Sequence, residues 1–502
     1  MKKYILLIAL FLSFSNLSIS QTTTSQLLKK ALSEAYNMNI DSAEKILKRV
    51  IRRTPRLPDG YFQLAQINFW CFLGSRDVNR FNQFIKYADI TQNLIDSILN
   101  KNNKNIKFTY MAGKLASYRA MINALNNSTV DALWYSKKSI DYYEKTLQLN
   151  PKYYDAYFGL GLFDYAMSFV PDFLKWAVNL AGLSSNKNRG LDYIKIAYRK
   201  GFFDKTEIEY HLAKIYSDYI AAYDSSYFIL KKLIAQYPNN TLFRYQYAVT
   251  LIKDKKLNDA NRILNTIINL DNKHFPQITS LAHFRKGEIY FKKNNFKKAI
   301  NHFKIFLETT RETDLKGLAA LNIAISYKLL DNEKEFNNYL KRVKEGNQDL
   351  FEDAYAKEKS EYFLEHGISS YDIFLLRMKN NIDAGSYKLA YDSLKSKIDS
   401  LHYGNKKLGL AYLSEVSLYL GKLQEAIDYA QKVISFNNKE ERWVIPFSNY
   451  IIAKANYFLN KKAEAKEYLK LAEENNDYEF RDYIQSLIEN LKRKLSRKYL
   501  FK

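Results

Sequence analysis

Small residues recur in pairs twelve positions apart along this chain: Ala31 and Ala43, Ala248 and Ala260, Gly287 and Ala299, Ser414 and Ala426, Ala453 and Ala465. Apolar residues follow the second member of each pair after four and seven positions: Leu47 and Val50, Leu264 and Ile267, Phe303 and Phe306, Ala430 and Val433, Leu469 and Ala472. That spacing puts them on one face of a helix. Proline falls twelve positions after the second small position at Pro55, Pro151 and Pro238, where it ends a helix.

The pattern predicts a helix–turn–helix unit. Two antiparallel helices cross closely, and the small residues let their backbones approach. One such hairpin cannot bury its own apolar faces, so neighbours must stack. The repeat distance is 34 from Ser226 to Ala260 and 39 from Ala260 to Ala299 and from Ala426 to Ala465. Loop insertions account for that scatter. The expected fold class is all-α: a superhelical solenoid of about eleven helical hairpins between residues 24 and 479.

The unit resembles the tetratricopeptide repeat. The resemblance is plainest in GEIYFKKNNFKKAINHFKIFL (Gly287–Leu307) and YYEKTLQLNPKYYDAYFGLGLFDY (Tyr142–Tyr165). Two longer stretches, Ala156–Gly201 and Arg442–Phe480, are similar to the tetratricopeptide-repeat family that includes the eukaryotic inclusion-body-clearance proteins. Their order along the chain also fits that family, with a mid-chain Pro-containing insertion and a closing repeat ending in Asp-Tyr. The resemblance implies a non-enzymatic binding protein of a family linked to lipid droplets and protein aggregates.

The expected organisation is a signal peptide over 1–20 and N-terminal hairpins with long helices over 21–153. A hairpin with the apolar insertion covers 154–203, and repeats follow over 204–350. A connecting helix over 351–370 leads to C-terminal repeats over 371–480 and a basic terminal helix over 481–502.

The start of the chain separates it from those relatives. Lys2 and Lys3 precede an apolar run from Tyr4 to Phe14, and Ser18 and Ser20 are small residues suited to cleavage. That order is a secretory signal, with cleavage expected between Ser20 and Gln21. The run falls short of the roughly 20 apolar residues that a membrane span needs. The expectation is export to the periplasm or the outer membrane, or secretion.

Composition narrows the chemistry. Gly 16 and Pro 7 in 502 residues fall far below the usual roughly 7% and 5%. Few turn-formers argue against an all-β fold, and 47% hydrophobic residues argue against disorder. The single cysteine, Cys71 among NFWCFL, excludes an internal disulfide framework and reads as a buried thiol. The six histidines make no His-Glu-x-x-His pair, and no phosphate loop or nucleophile elbow is present. The sequence therefore predicts no enzyme, no cofactor and no metal.

Lys and Arg total 77 against 53 Asp and Glu, a formal charge of +24. Lysine is abundant throughout, so much of this is background. Lys45, Lys48, Arg49, Arg52, Arg53 and Arg56 nevertheless form one helical stripe, a candidate contact for an anionic or membrane surface. Lys492, Arg493, Lys494, Arg497, Lys498 and Lys502 cluster at the C-terminus. No nucleic-acid module interleaves aromatics with these charges, so no specific nucleic acid is expected. The apolar stretch Phe163–Leu183, split by Pro171, reads either as a buried plug or as an exposed flap.

The expected function is a scaffold that binds a protein or peptide partner. In a superhelix the first helix of each hairpin lines the concave wall. Its inward positions give Phe158, Leu162 and Tyr165; Tyr245, Val249 and Ile252; Phe284, Glu288 and Phe291; and Tyr450, Lys454 and Tyr457. Aromatic side chains with only occasional charge suit an extended peptide or a partner helix; the alternative reading is that some of these rings pack between neighbouring repeats.

Overall fold

The computed structural model describes residues 23–168, 185–436, 441–474, 478 and 480–496. Among them it holds 24 α-helices, two short 3-10 turns and no strand. The chain divides into two compact units, the first ending at Phe202 and the second starting at Phe203.

In the first unit the helices pair in chain order: α1 (Thr24–Tyr36) with α2 (Ile40–Arg53), α3 (Asp59–Ser75) with α4 (Val78–Lys101), α5 (Ile106–Leu125) with α6 (Thr129–Leu149), and α7 (Asp155–Met167) with α8 (Lys187–Lys200). The second unit adds seven pairs: α9 (Lys205–Asp218) with α10 (Tyr223–Gln236), α11 (Thr241–Lys253) with α12 (Leu257–Leu270), α13 (Pro276–Lys292) with α14 (Phe296–Thr309), α15 (Lys316–Lys328) with α16 (Glu333–Arg342), α18 (Ser370–Asp383) with α19 (Tyr387–Lys397), α20 (Tyr403–Tyr419) with α21 (Leu423–Ile434), and α22 (Val444–Phe458) with α23 (Lys462–Glu473). Two helices stand outside this pairing. α17 (Phe351–His366) packs on α15, and α24 (Arg481–Leu495) packs on α22 and α23.

The crossings sit where the small residues are. Ala31, Ala43, Ala248, Ala260, Ala299, Ser414, Ala426, Ala453 and Ala465 are all fully buried. A Cβ added at Gly161 would lie 2.6 Å from the Gly190 carbonyl oxygen and 2.9 Å from the Ile194 backbone nitrogen. Only glycine lets α7 and α8 approach so closely. The apolar followers Leu47, Val50, Leu264, Ile267, Phe303 and Phe306 are fully buried.

Eight hairpin turns use one backbone device. Met38, Asn127, Lys255, Asn294, Asp331, Gly385, Gly421 and Asn460 have φ between 54° and 83°. The next amide donates to the carbonyl five residues back, for example Lys256 to Leu251 and Asn295 to Tyr290, both at 2.8 Å. This satisfies carbonyls that the helix end would leave unpaired. Only two of these positions are glycine, so the low glycine content is compatible with many turns. A side chain there costs roughly 1 kcal/mol of backbone strain, offset by packing on both sides.

Candidate functional site

In the second unit a cavity of about 570 Å3 lies where helices far apart in sequence converge. The α9–α10 turn and the start of α10 contribute Ala221 and Tyr223. The end of α11 and the turn after it contribute Lys253 and Lys255. Tyr387 opens α19 and Tyr419 closes α20. α22 supplies Tyr450, Lys454 and Tyr457, and α24 supplies Tyr483, Asn490, Arg493 and Lys494. The unit curls enough for its last helix to reach its first turn: Asn490 Nδ2 donates to the Ala221 carbonyl at 3.0 Å.

Beside the cavity lies a buried ionic cluster. Lys255 Nζ donates to Glu415 Oε1 at 2.8 Å. Lys379 Nζ donates to Glu415 Oε2 at 3.0 Å and to Asp383 Oδ1 at 2.9 Å. Lys255 and Lys292 lie 3.4 and 3.5 Å from Asp383. Burial alone would raise the two carboxyl pKa values, but the surrounding ammonium groups hold both below the usual range. Three lysines face two carboxylates, so the cluster carries a net positive charge, and Lys255 is its member on the cavity wall.

Tyrosines complete the walls. The rings of Tyr387 and Tyr419 stack 4.7 Å apart, almost parallel. Lys255 Nζ sits 4.3 Å over the Tyr419 ring, and Lys454 lies 5.7–5.8 Å from the rings of Tyr450 and Tyr419, both within cation–π range. Burial pushes Tyr483 up to about 12 against the opposing pull of Lys255. The Tyr223 hydroxyl and Arg493 Nε are buried with no hydrogen-bond partner. Burial lowers Lys454, and nearby Lys255 lowers it further; burial and Lys454 lower Lys494 in the same way.

The structure disperses the other inward positions expected from the repeat. Of those twelve, Tyr450, Lys454 and Tyr457 line the cavity. Phe284 is fully buried and packs edge-on against Phe303 and Phe306, so it belongs to the core and not to a groove. Phe291, Val249 and Ile252 are also buried. Tyr245 accepts from Arg285 Nε at 3.1 Å, and Glu288 pairs with the same guanidinium at 2.6 Å. Phe158 and Tyr165 are buried in the first unit, with Leu162 half-buried beside them.

The wall is also far more charged than expected. Asp218 accepts from Lys214 at 2.6 Å and Lys253 at 2.7 Å. Burial would raise this carboxyl, but the two lysines pull it well below the usual range. These residues read as ordinary solvated helix positions in sequence. Their only common signal is placement on the first helices of hairpins or in the turns that follow.

Outside the cavity, Lys45, Lys48, Arg49, Arg52, Arg53 and Arg56 are all exposed on and just beyond α2. Lys492 of the C-terminal cluster pairs with Glu473 and Arg493 with Glu489; Arg497, Lys498 and Lys502 lie outside the described residues. So do Ser20, Gln21 and most of the Phe163–Leu183 stretch. Cys71 is buried, which pushes its thiol up to about 12 although Arg80 pulls the other way. Among the described residues no group of three His, Cys, Asp or Glu side chains could hold a metal ion, and no helix is long and apolar enough to cross a membrane.

Residues 155–314 match the family model Iml2/Tetratricopeptide repeat protein 39. No curated protein matches the sequence. Similar solved structures include the APC/C hetero-tetramer Cut9–Hcn1, at 16% identity over 91% of this chain and 88% of that one with a TM-score of 0.28. Human IFIT1 bound to PPP-AAAA is 16% identical over 84% of this chain and 95% of that one, with a TM-score of 0.38. Yeast Tom70 is 12% identical over 91% and 93%, with a TM-score of 0.33.

Proposed function

We propose that the chain, whose residues 155–314 match a tetratricopeptide-repeat family model and whose described helices pair as stacked hairpins, is an exported, non-enzymatic scaffold that holds a protein or peptide partner on the inner face of its second unit. One observation carries this reading. The hairpins bury their apolar faces in one another, yet tyrosines and lysines from distant hairpins converge on an open chamber. Tyrosine offers a large rigid surface with a polar tip, which suits a protein interface. The basic start, short apolar run and Ser20–Gln21 junction support export to the periplasm, the outer membrane or the medium.

The test is site-specific photo-crosslinking in intact cells. A photoreactive residue at Tyr457 should attach a defined partner chain, whereas one at exposed Lys341 on α16 should not. Equal attachment at both positions, or none at Tyr457, rejects the seat. N-terminal sequencing of the isolated protein should begin at Gln21.

A second reading follows from the six exposed cations of Lys45–Arg56, which would bind an anionic surface or polyanion. Such binding collapses steeply as salt rises. Vesicle or polyanion binding that survives moderate salt, or that persists when these residues become glutamine, excludes the stripe.

A further inference from the structure

We propose that the chamber of the second unit is a binding site for a small organic anion: a carboxylate or phosphate group carried on a flat ring. The inference rests on the chamber being the working site of the protein, and it adds the chemistry of what enters.

The charges around the cavity carry the argument. Lys253 is matched by Asp218, Lys255 by Glu415 and Arg493 by Glu489. Lys454 and Lys494 have no acidic side chain within ion-pair distance, although both line the cavity. Asp224, exposed at the rim, is the acid whose field reaches Lys494, and Glu415 and Asp254 reach Lys454, but none of them forms an ion pair with these lysines; Asp254 pairs with Lys256 instead. Lys454, half-buried beside a net-positive ionic cluster, is the ammonium group whose burial is unfavourable unless an anion balances it, and Lys494, exposed at the rim, adds to the same positive potential.

The unpaired donors agree. The Tyr223 hydroxyl and Arg493 Nε are buried at the cavity with no protein acceptor. Buried polar atoms without partners are uncommon and costly. Two ammonium groups without an ion-pair partner and two unmatched donors call for a negatively charged group rich in acceptor oxygens. The flat body follows from the walls, which are lined by the aromatic rings of Tyr419, Tyr450, Tyr457 and Tyr483. A volume of about 570 Å3 is the size of a small-molecule pocket. It is too large for a bare phosphate.

Isothermal titration calorimetry on the purified full chain tests this with three probes: phenyl phosphate, benzoate and neutral benzyl alcohol. Saturable binding of at least one anion is expected, weakening with added salt, and none of benzyl alcohol. The stronger anion identifies the acidic group. Lys454→Met and Lys494→Met should each weaken that anion by about tenfold, the worth of one charge-assisted hydrogen bond. If either variant fails to fold by circular dichroism, Tyr223→Phe gives the same reading with a milder change. The proposal is overturned if neither anion saturates, if benzyl alcohol binds equally well, or if well-folded variants bind like the parent. Probe binding and partner cross-linking at Tyr457 are separate readouts, so either can fail alone.

Discussion

Lys255 and Glu415 meet at 2.8 Å across 160 residues of sequence, the lysine presented from a left-handed turn and the carboxylate from the C-terminal third of α20. Glycine would relax that turn, yet lysine stands there, and its ammonium also lies over Tyr419. The contact ties the hairpin of α11 and α12 to that of α20 and α21. It also fixes Lys255 on the wall of the chamber.

Glu415→Gln should therefore destabilise the second unit. The substitution keeps the shape but leaves Lys255, Lys379 and Lys292 facing Asp383 alone. Breaking a buried ion pair costs about 3–5 kcal/mol, and the remaining carboxylate places the expected loss near the lower end. Urea denaturation of the variant checks this. A midpoint equal to that of the parent contradicts the network as described.

Gly161→Ala should loosen the last hairpin of the first unit. The new Cβ would meet backbone atoms of Gly190 and Ile194, which cannot rotate aside. Overpacking of this kind costs roughly 1–3 kcal/mol. Hydrogen exchange should show lost protection in α7 and α8 first, and unchanged exchange there would refute the close crossing.

Phe284→Ala should behave as a core truncation, with a loss of about 3–5 kcal/mol. Binding by whatever protein stays folded should be unaffected, because the ring faces Phe303 and Phe306. Weakened partner capture at unchanged melting temperature would return the ring to a groove.

Acid should act in two steps. One Nδ1 of the His283–His302 pair donates to the other at 3.0 Å. Burial lowers His302 to about 4, helped by Lys286, His283 and Lys298, and burial also lowers His283. A base with a lowered folded pKa makes the unfolded chain bind protons first. Stability should thus fall as the pH drops from about 6.5 towards about 4. Below that, protonation of Asp218, Asp383 and Glu415, all held low in the folded state, removes stability that is fully present above their unfolded values. Melting temperature against pH should show both steps, and His302→Gln should flatten only the first.

The hairpins were legible because a crossing forces a small residue into each helix, and the partner helix forces apolar positions four and seven residues on. Ala248 with Ala260 and Ala453 with Ala465 follow from that geometry alone. The inward positions were less legible. One offset from the crossing residue gives Tyr450, which lines the cavity, and Phe284, which fills the core. What decides between them is the neighbouring helix: Phe303 and Phe306 crowd the Phe284 side. The ionic cluster was hidden for a different reason. Lys255, Lys379, Asp383 and Glu415 come from three hairpins, and no local period connects them.

An open repeat array can lengthen or shorten by duplicating or deleting a hairpin, because each unit touches only its neighbours. The Asn490–Ala221 contact withdraws that freedom from the second unit. Inserting or deleting one hairpin between them would carry α24 away from the α9–α10 turn and open the chamber. Change in this half of the molecule should therefore proceed by substitution at a fixed repeat number.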